Sequence, residues 1–236
     1  RLLKAIFTKI YGSSPYQSPT DMGVNMAGFA IIDDAKACEA SKDEIIRRYY
    51  QALKLNYLGR FSDQSVEKIQ MLMNQLGITA NDRKSVSACL EKAQNEGTPS
   101  MSIELPCGEV VTGKRTKLFG APAALLLNTL KMLANIDDSI PLLSPGVIGP
   151  IQDLKTNCLK NHNPRLHAEE ILIALAIQAN TNPLSEIALK QLPKLRGLQA
   201  HSSTILPESD MNTFKKLGVD VTEEAVSISK RLYIKQ

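Results

Sequence analysis

The chain has 236 residues, and with 43% hydrophobic and 22% charged residues it is long enough to bury a core without disulfides or a structural metal. Its 28 basic and 24 acidic residues are interspersed, so the net charge of +4 indicates solubility and argues against a nucleic-acid partner. Aromatic residues make up 5% and tryptophan is absent, which disfavours sites that stack bases or sugars.

No apolar run reaches the ~18 residues of a transmembrane helix and no signal-peptide pattern occurs, so we expect a cytoplasmic protein without a membrane partner. Cysteines occur at positions 38, 89, 107 and 158 but never as a C-x-x-C pair. We expect them to be reduced thiols and small buried or half-buried residues. The chain opens at Arg1 inside a helical pattern, which is consistent with a fragment of a longer protein.

A short helix through Ile10 is followed by a loop that combines proline, glycine and short polar residues with Tyr, Met, Val and Phe. Long loops of this mixed composition are often functional. We therefore treat Thr20, Asp21 and Asn25 as candidate ligand-binding residues on a loop that closes over a site. The alternative is a loop that packs on a neighbouring domain.

From Asp33 to about Glu96 apolar residues recur at helical spacing. Ser62 stands at a helix start and glycines at two helix ends, at positions 77 and 97. This pattern predicts a small helical bundle over residues 34–97, after an N-terminal helix and loop over residues 1–33. The methionines and tyrosines of the bundle have the spacing of core residues before that of a ligand surface.

Beyond Pro99 the period changes, and short strands alternate with helices, which predicts the α/β class. We expect a layered α/β domain with a mixed sheet over residues 98–236. The predicted strands cover residues 101–105, 109–112, 140–143, 198–206 and a segment near 219–221. The predicted helices cover residues 121–134, a segment after Pro145, 164–180, a segment ending near 195 and a short one after Pro207.

Several runs resemble the bacterial family catalogued as domain of unknown function 1846. They are SPYQSPTDMGVNMAGF at residues 14–29, the segment 44–53, and shorter runs at 72–75, 163–167, 191–195 and 200–202. The resemblance implies the C-terminal half of a longer protein whose N-terminal half, a partner of this chain, resembles a nucleotide-binding α/β domain. It also implies a layout similar to the cytidine deaminase and purine transformylase folds, a likeness of fold that carries no reaction.

His167-Ala168-Glu169 matches half of the zinc deaminase signature, in which a downstream Pro-Cys-x-x-Cys supplies the other ligands. No cysteine follows His167, so we predict no metal site. The alternative is a set of polar residues near a helix N-terminus. Arg165, His167 and Glu169 therefore remain candidate ligand-binding residues.

The run from Gly108 to Lys114 matches G-x-x-x-x-G-K, but its centre is strand-like and Arg115 stands where a phosphate loop needs Ser or Thr. A weaker interpretation remains open, because Lys114, Arg115 and Thr116 precede a helix that begins near Gly120. Basic side chains at a helix N-terminus are typical of anion binding. The alternative is a solvated basic turn.

His201, Ser202 and Ser203 lie at the end of a predicted strand, where open α/β sheets bind ligands. They are candidate ligand contacts, and the alternative is a set of structural hydroxyls with internal partners. Two hypotheses follow for the whole chain. One is an enzyme-like domain that binds an anionic or nucleotide-like small molecule, with no cofactor or reaction specified. The other is an interaction module that packs on an N-terminal domain or forms a homo-oligomer.

Overall fold

The computed structural model describes residues 2–12 and 33–227, so Thr20, Asp21 and Asn25 lie outside the described residues. The chain divides into two compact units, Arg1–Ile45 and Ile46–Gln236. The first unit contains helix α1 (Leu2–Tyr11) and the start of helix α2 (Asp34–Tyr57), which continues into the second unit. The predicted division into residues 1–33, 34–97 and 98–236 stays a prediction.

The second unit carries the sheet and most of the helices. The helices are α3 (Asp63–Leu76), α4 (Lys84–Glu96), α5 (Ala121–Ala134), α6 (Pro145–Asp153), α7 (Ala168–Gln178), α8 (Pro183–Leu189) and α9 (Glu208–Lys216). The strands are β1 (Ser100–Glu104), β2 (Val110–Lys114), β3 (Gln199–Ser202) and β4 (Asp220–Glu223). Short 3₁₀ turns occupy Ala80–Asp82 and Leu192–Leu195, and a π-helical turn at Leu154–Cys158 continues α6.

The four strands form one mixed sheet in the order β2-β1-β3-β4. Strand β1 is antiparallel to both β2 and β3, whereas β3 and β4 are parallel. The prediction of an α/β protein with a mixed sheet is therefore confirmed. The finer likeness to deaminase and transformylase folds stays a prediction.

The two faces of the sheet differ in chemistry because successive side chains of a strand point to opposite faces. Met101, Ile103 and Ala200 belong to an apolar core that also includes the buried sides of α5, α7 and α9. On the other face Ser102, His201 and Thr222 occupy one cross-strand row. Helix α4 packs on β1, β2 and β3 at this polar face. A helix of the predicted bundle is thus a layer of the sheet domain.

Strand β2 approaches α5 so closely that a side chain at Gly113 is impossible. A Cβ atom built there would lie 2.2 Å from the backbone nitrogen of Leu125, so the glycine is required by space. The contact is reinforced by Asn128 of α5, whose Nδ2 donates to the carbonyl of Thr112 over 2.9 Å.

Four local predictions need correction. Residues 140–143 form no strand in the described part of the chain. This segment is irregular, and its Leu142 and Leu143 are buried in the core. The apolar run therefore reflects core packing without the hydrogen bonds of a sheet. The predicted strand over 198–206 ends at Ser202. Helix α7 begins at Ala168, not near residue 164. It is also less buried than predicted, as the 55% exposure of Ile173 shows. Of the cysteines, Cys89 is buried and those at 38, 107 and 158 are exposed.

Candidate functional site

The carboxyl ends of β3 and β4 lie at one edge of the sheet, where β1 begins and β2 ends. The register pairs Ser100 with Lys114, and it pairs Ser202 with Glu223. We call this edge the carboxyl edge. Helices α5 and α9 begin after strands that end here, and in open α/β sheets ligands bind at such an edge.

The predicted basic run folds into a turn between β2 and α5. Lys114 Nζ lies 2.6 Å from Oε2 of Glu96, and this hydrogen bond is the main cause that lowers the pKa of the Glu96 carboxyl. The backbone nitrogen of half-buried Arg115 donates to the carbonyl of Pro99 over 2.9 Å. Thr116 Oγ1 accepts from the backbone nitrogen of Phe119 over 3.0 Å. The run is therefore an ordered turn with part of its charge already paired.

Arg165 joins this turn to the segment ahead of α7. Its Nε donates to the carbonyl of Thr116 over 2.7 Å, and its backbone nitrogen donates to Oδ1 of Asn163 over 3.2 Å. Leu166, the next residue, forms an isolated parallel bridge with Phe119. Two of the clusters predicted from sequence, 114–116 and 165–167, are thus brought together at the carboxyl edge.

His167 stands at the N-cap of α7 and pairs with Asp210 of α9. The distance from its Nδ1 to Oδ2 of Asp210 is 2.9 Å, and Oδ1 of the same carboxylate accepts from the backbone nitrogen of Ala168 over 2.8 Å. Asp210 is only 2% exposed, whereas 24% of the His167 side chain is exposed. The hydrogen bond to Asp210 raises the pKa of His167 and so favours the imidazolium.

This pair can hold a positive charge or exchange a proton at Nε2, which lies 3.4 Å from Nδ2 of Asn163. Sequence reasoning missed Asp210. The only local signal is an acidic residue in the first turn of a helix, which is a common feature and does not identify a partner.

A partly buried ion pair supports the same segment from α6. Lys155, in the π-helical turn, is 4% exposed, and its Nζ lies 2.7 Å from Oε2 of Glu170. It also donates to the carbonyl of Arg165. Glu170 in turn accepts from the backbone nitrogen of His167 over 2.7 Å. The predicted candidate Glu169 is exposed, and Glu170, which was not predicted, is the carboxylate that fixes the helix start.

A groove of about 660 Å³ opens beside the 115–120 turn, between α5 and α6. Its walls are mainly apolar, with Leu127, Leu143 and Ile148 among them, and polar side chains include Lys114 and Lys131. Thr116 also lines the groove, so Arg165 is bonded to one of its wall residues. The volume lies within the range of small-molecule sites.

The predicted residues at the end of β3 have internal partners. His201 is fully buried, with Nδ1 2.8 Å from Oγ1 of Thr222. Ser202 Oγ donates to the carbonyl of Thr204 over 2.7 Å, and Ser203 Oγ donates to the carbonyl of Ser100 over 3.1 Å. These hydroxyls hold the chain after β3 in place.

His201 belongs to a second polar cluster beneath the sheet. Its Nε2 lies 3.3 Å from Oε1 of Glu224 and makes no contact of hydrogen-bond geometry among the described residues. Its ring centroid is 4.8 Å from that of Tyr50. Burial lowers the pKa of His201 and raises that of the Tyr50 hydroxyl, so both are neutral near pH 7. Arg83 borders the cluster and donates to the carbonyl of Ala200 over 3.2 Å.

Within residues 2–12 and 33–227, no three His, Cys, Asp or Glu side chains have an arrangement that could hold a metal ion. His167, the residue of the deaminase half-signature, faces a single carboxylate instead. In the same part of the chain, no helix is long and apolar enough to span a membrane.

The fold and the carboxyl edge together define a mixed α/β protein with cationic and polar side chains gathered beside an apolar groove. The chain belongs to the DUF1846 family. Residues 81–233 match the domain of unknown function DUF1846, C-terminal, and residues 1–77 match the domain of unknown function DUF1846, N-terminal. The expectation of a C-terminal half alone is therefore corrected, and the chain's own N-terminal match leaves a missing N-terminal partner unsupported.

Two bacterial relatives illustrate the similarity. A UPF0371 protein of Streptococcus pyogenes serotype M5 (strain Manfredo) is 48% identical over 99% of this chain and 47% of its own length. A UPF0371 protein of Streptococcus pneumoniae (strain JJA) is 50% identical over the same shares. The chain thus spans about half the length of the curated relatives it matches.

Proposed function

We propose that the second unit binds a small anionic molecule with an apolar portion, in the groove beside the 115–120 turn. The observation that carries the proposal is the combination of apolar walls with Lys114 and Lys131 in one cavity of suitable volume. Thr20, Asp21 and Asn25 as closing residues, and a cytoplasmic location, stay predictions.

The charge balance around the groove favours an anion. Arg165 uses Nε for Thr116, while its Nη2 has no hydrogen-bond partner within the described residues. His167, whose raised pKa favours the imidazolium, adds a second cation in the same segment. We expect the apolar part of the ligand to contact the walls and its phosphate or carboxylate to face these cations. His201 and Ser202 are not used, because both are buried.

A groove-filling substitution tests the site without removing any charge. Gly149 of α6 lines the groove, and a Cβ atom built there has no neighbour within 4 Å. Gly149→Leu should therefore fold and fill the groove. Gly146→Leu, in the same helix but outside the lining residues, is the matched control.

The measurement is a thermal-shift screen of nucleotides, sugar phosphates and acyl phosphates. A ligand at a hundredfold excess over its Kd should stabilise the chain by about 2.7 kcal/mol, which raises Tm by about 2–4 °C per kcal/mol. Gly149→Leu should abolish the rise, Arg165→Gln should reduce it, and Gly146→Leu should retain it. A ligand whose shift survives Gly149→Leu binds elsewhere and contradicts the proposal.

A second candidate function, self-association, is favoured by an apolar surface on α7. Ile173 and Ile177 lie four residues apart on one helix face and are 55% and 53% exposed. Exposed apolar patches mark interaction sites. If the surface joins two copies, sedimentation velocity should show a concentration-dependent dimer that Ile173→Glu dissociates. A wild-type chain that stays monomeric at every concentration tested contradicts this candidate.

A further inference from the structure

The side-chain amide of Asn163 contacts two residues of the segment ahead of α7. Its Oδ1 accepts from the backbone nitrogen of Arg165 over 3.2 Å and lies 3.5 Å from Nη1 of the same residue. Its Nδ2 lies 3.4 Å from Nε2 of His167. Asn163 therefore joins the histidine that pairs with Asp210 to the arginine that is bonded to Thr116.

The neighbours of Asn163 determine which way its amide points. The backbone N–H of Arg165 can only donate, so it requires the amide oxygen. The amide nitrogen, which also can only donate, then faces Nε2 of His167. This arrangement suits a neutral imidazole, in which Nε2 accepts while Nδ1–H donates to Asp210 over 2.9 Å.

The imidazolium form of His167 does not fit the same arrangement. Protonation places a hydrogen on Nε2, and two donors then face each other across 3.4 Å. Asn163 can restore a hydrogen bond by turning its oxygen toward Nε2–H, but the oxygen then leaves Arg165. One amide oxygen thus serves either residue, and the charge of His167 selects which.

The charged groups around His167 come from three elements and from its own segment. Asp210 belongs to α9, Glu170 to α7 and Lys155 to the π-helical turn, and Arg165 lies two residues away along the chain. The hydrogen bond to Asp210 is the main cause that raises the pKa of His167, and burial opposes it. The charges of Lys155 and Glu170, which are 2.7 Å apart, act on this pKa in opposite directions. Asp210 is therefore the dominant charge that favours protonation.

We propose that protonation of His167 moves the amide oxygen of Asn163 from Arg165 to His167 and so releases Arg165. The step adds one proton from solvent to Nε2 and breaks no covalent bond. The backbone nitrogen and Nη1 of Arg165 lose an acceptor, while Nε keeps the carbonyl of Thr116. Because Thr116 lines the groove, acidification makes a further donor of Arg165 available to an anion there. This last consequence alone rests on the proposed small-molecule site.

The direction of one pKa change tests the switch on the whole chain, without a ligand. Asn163→Ala removes a donor that favours the neutral imidazole, so NMR titration should show a pKa of His167 above that of the wild type. Asn163→Asp provides acceptors for Arg165 N–H and for Nε2–H together, and it should raise this pKa further. Asn180→Ala, at an exposed asparagine just beyond the other end of α7, is the control and should leave it unchanged.

Hydrogen exchange of the Arg165 amide follows the release itself. Relative to the rate of an unstructured chain at the same pH, its protection in the wild type should fall as the pH drops through the titration of His167. In Asn163→Asp the protection should remain, because the carboxylate can accept from both residues at once. In His167→Gln it should not change with pH.

Two results overturn the proposal. One is a lowered or unchanged pKa of His167 in Asn163→Ala, since Asn163 would then favour the imidazolium or have no influence on the ring. The other is wild-type protection of the Arg165 amide that does not follow the titration of His167. If Asn163→Ala does not fold, the wild-type exchange measurement decides alone. Both measurements use the chain without a ligand, so the switch and the small-molecule site can fail separately.

Discussion

His167 and His201 both lie beside a carboxylate, yet their surroundings shift their pKa values in opposite directions. His167 is partly exposed and forms a hydrogen bond with Asp210, a buried carboxylate held by the start of α7, so its pKa is raised. His201 has no exposed surface, and desolvation outweighs the attraction of Glu224, so its pKa is lowered. A neighbouring carboxylate therefore raises the pKa of a histidine only where the cost of burying the charged ring is smaller than the attraction.

The two rings also differ in what they can contact. The partly exposed ring of His167 lies at the carboxyl edge, whereas the buried ring of His201 lies between Tyr50 and Thr222 and joins the polar face of the sheet to α2. Substitutions of His201, of Asp210 and of both histidines test this difference, in order of decreasing expected effect.

The largest effect is expected from His201→Ala. The substitution leaves a cavity under the sheet, removes the hydrogen bond to Thr222 and removes the contact of Nε2 with Oε1 of Glu224. We expect the free energy of unfolding to fall by about 3 kcal/mol, measured by urea denaturation at pH 7. His162→Ala, at an exposed histidine, is the control and should change it by less than about 0.5 kcal/mol. Equal effects of the two substitutions would contradict the structural role of His201.

The polar face of the sheet is predictable from the sequence, although it was not predicted. Alternation in Ser100-Met-Ser-Ile-Glu104 predicts one polar and one apolar side for β1. Interpreting His201 as a strand-end residue overlooked that it stands one position before the end, on the polar side. That α4 covers this side depends on long-range packing, which the local pattern of α4 does not contain.

The next largest effect is expected from Asp210→Asn. An asparagine oxygen can still accept from Ala168 N, but the negative charge next to His167 is lost. We expect the pKa of His167 to fall and the free energy of unfolding at pH 6 to fall by about 1–2 kcal/mol. NMR titration of the imidazole signals measures the first and urea denaturation the second. An unchanged His167 titration would show that Asp210 does not set its charge.

For each contact of the candidate site, the sequence predicts only one of the two partner residues. The bounds of α5 and the clusters at 114–116 and 165–167 follow from local patterns, and Thr116 and Arg165 do meet. Their partners come from distant parts of the chain: Asp210 is 43 residues from His167 in sequence. No spacing rule links such positions, so sequence alone indicates the cations and leaves their counter-charges unknown.

The smallest expected effect concerns the pH dependence of the free energy of unfolding, to which His167 and His201 contribute slopes of opposite sign. Because the folded-state pKa of His167 is raised, its contribution to stability is fully present below the unfolded value of about 6.5 and is lost as pH rises through the folded value. Because that of His201 is lowered, the unfolded state binds a proton first on acidification, and stability falls as pH drops below about 6.5. In the wild type the two slopes oppose each other.

Single substitutions should separate these slopes. The His201→Gln variant keeps only the contribution of His167. Its free energy of unfolding should therefore decline more steeply above about pH 6.5 than that of the double variant, which carries both His167→Gln and His201→Gln. The His167→Gln variant keeps only the contribution of His201. Its free energy of unfolding should therefore fall more steeply than that of the double variant as the pH drops below about 6.5. Urea denaturation between about pH 5 and 8 measures both, with the double variant as the common reference. If the two single variants deviate from that reference in the same direction with pH, the opposite pKa shifts of His167 and His201 are refuted.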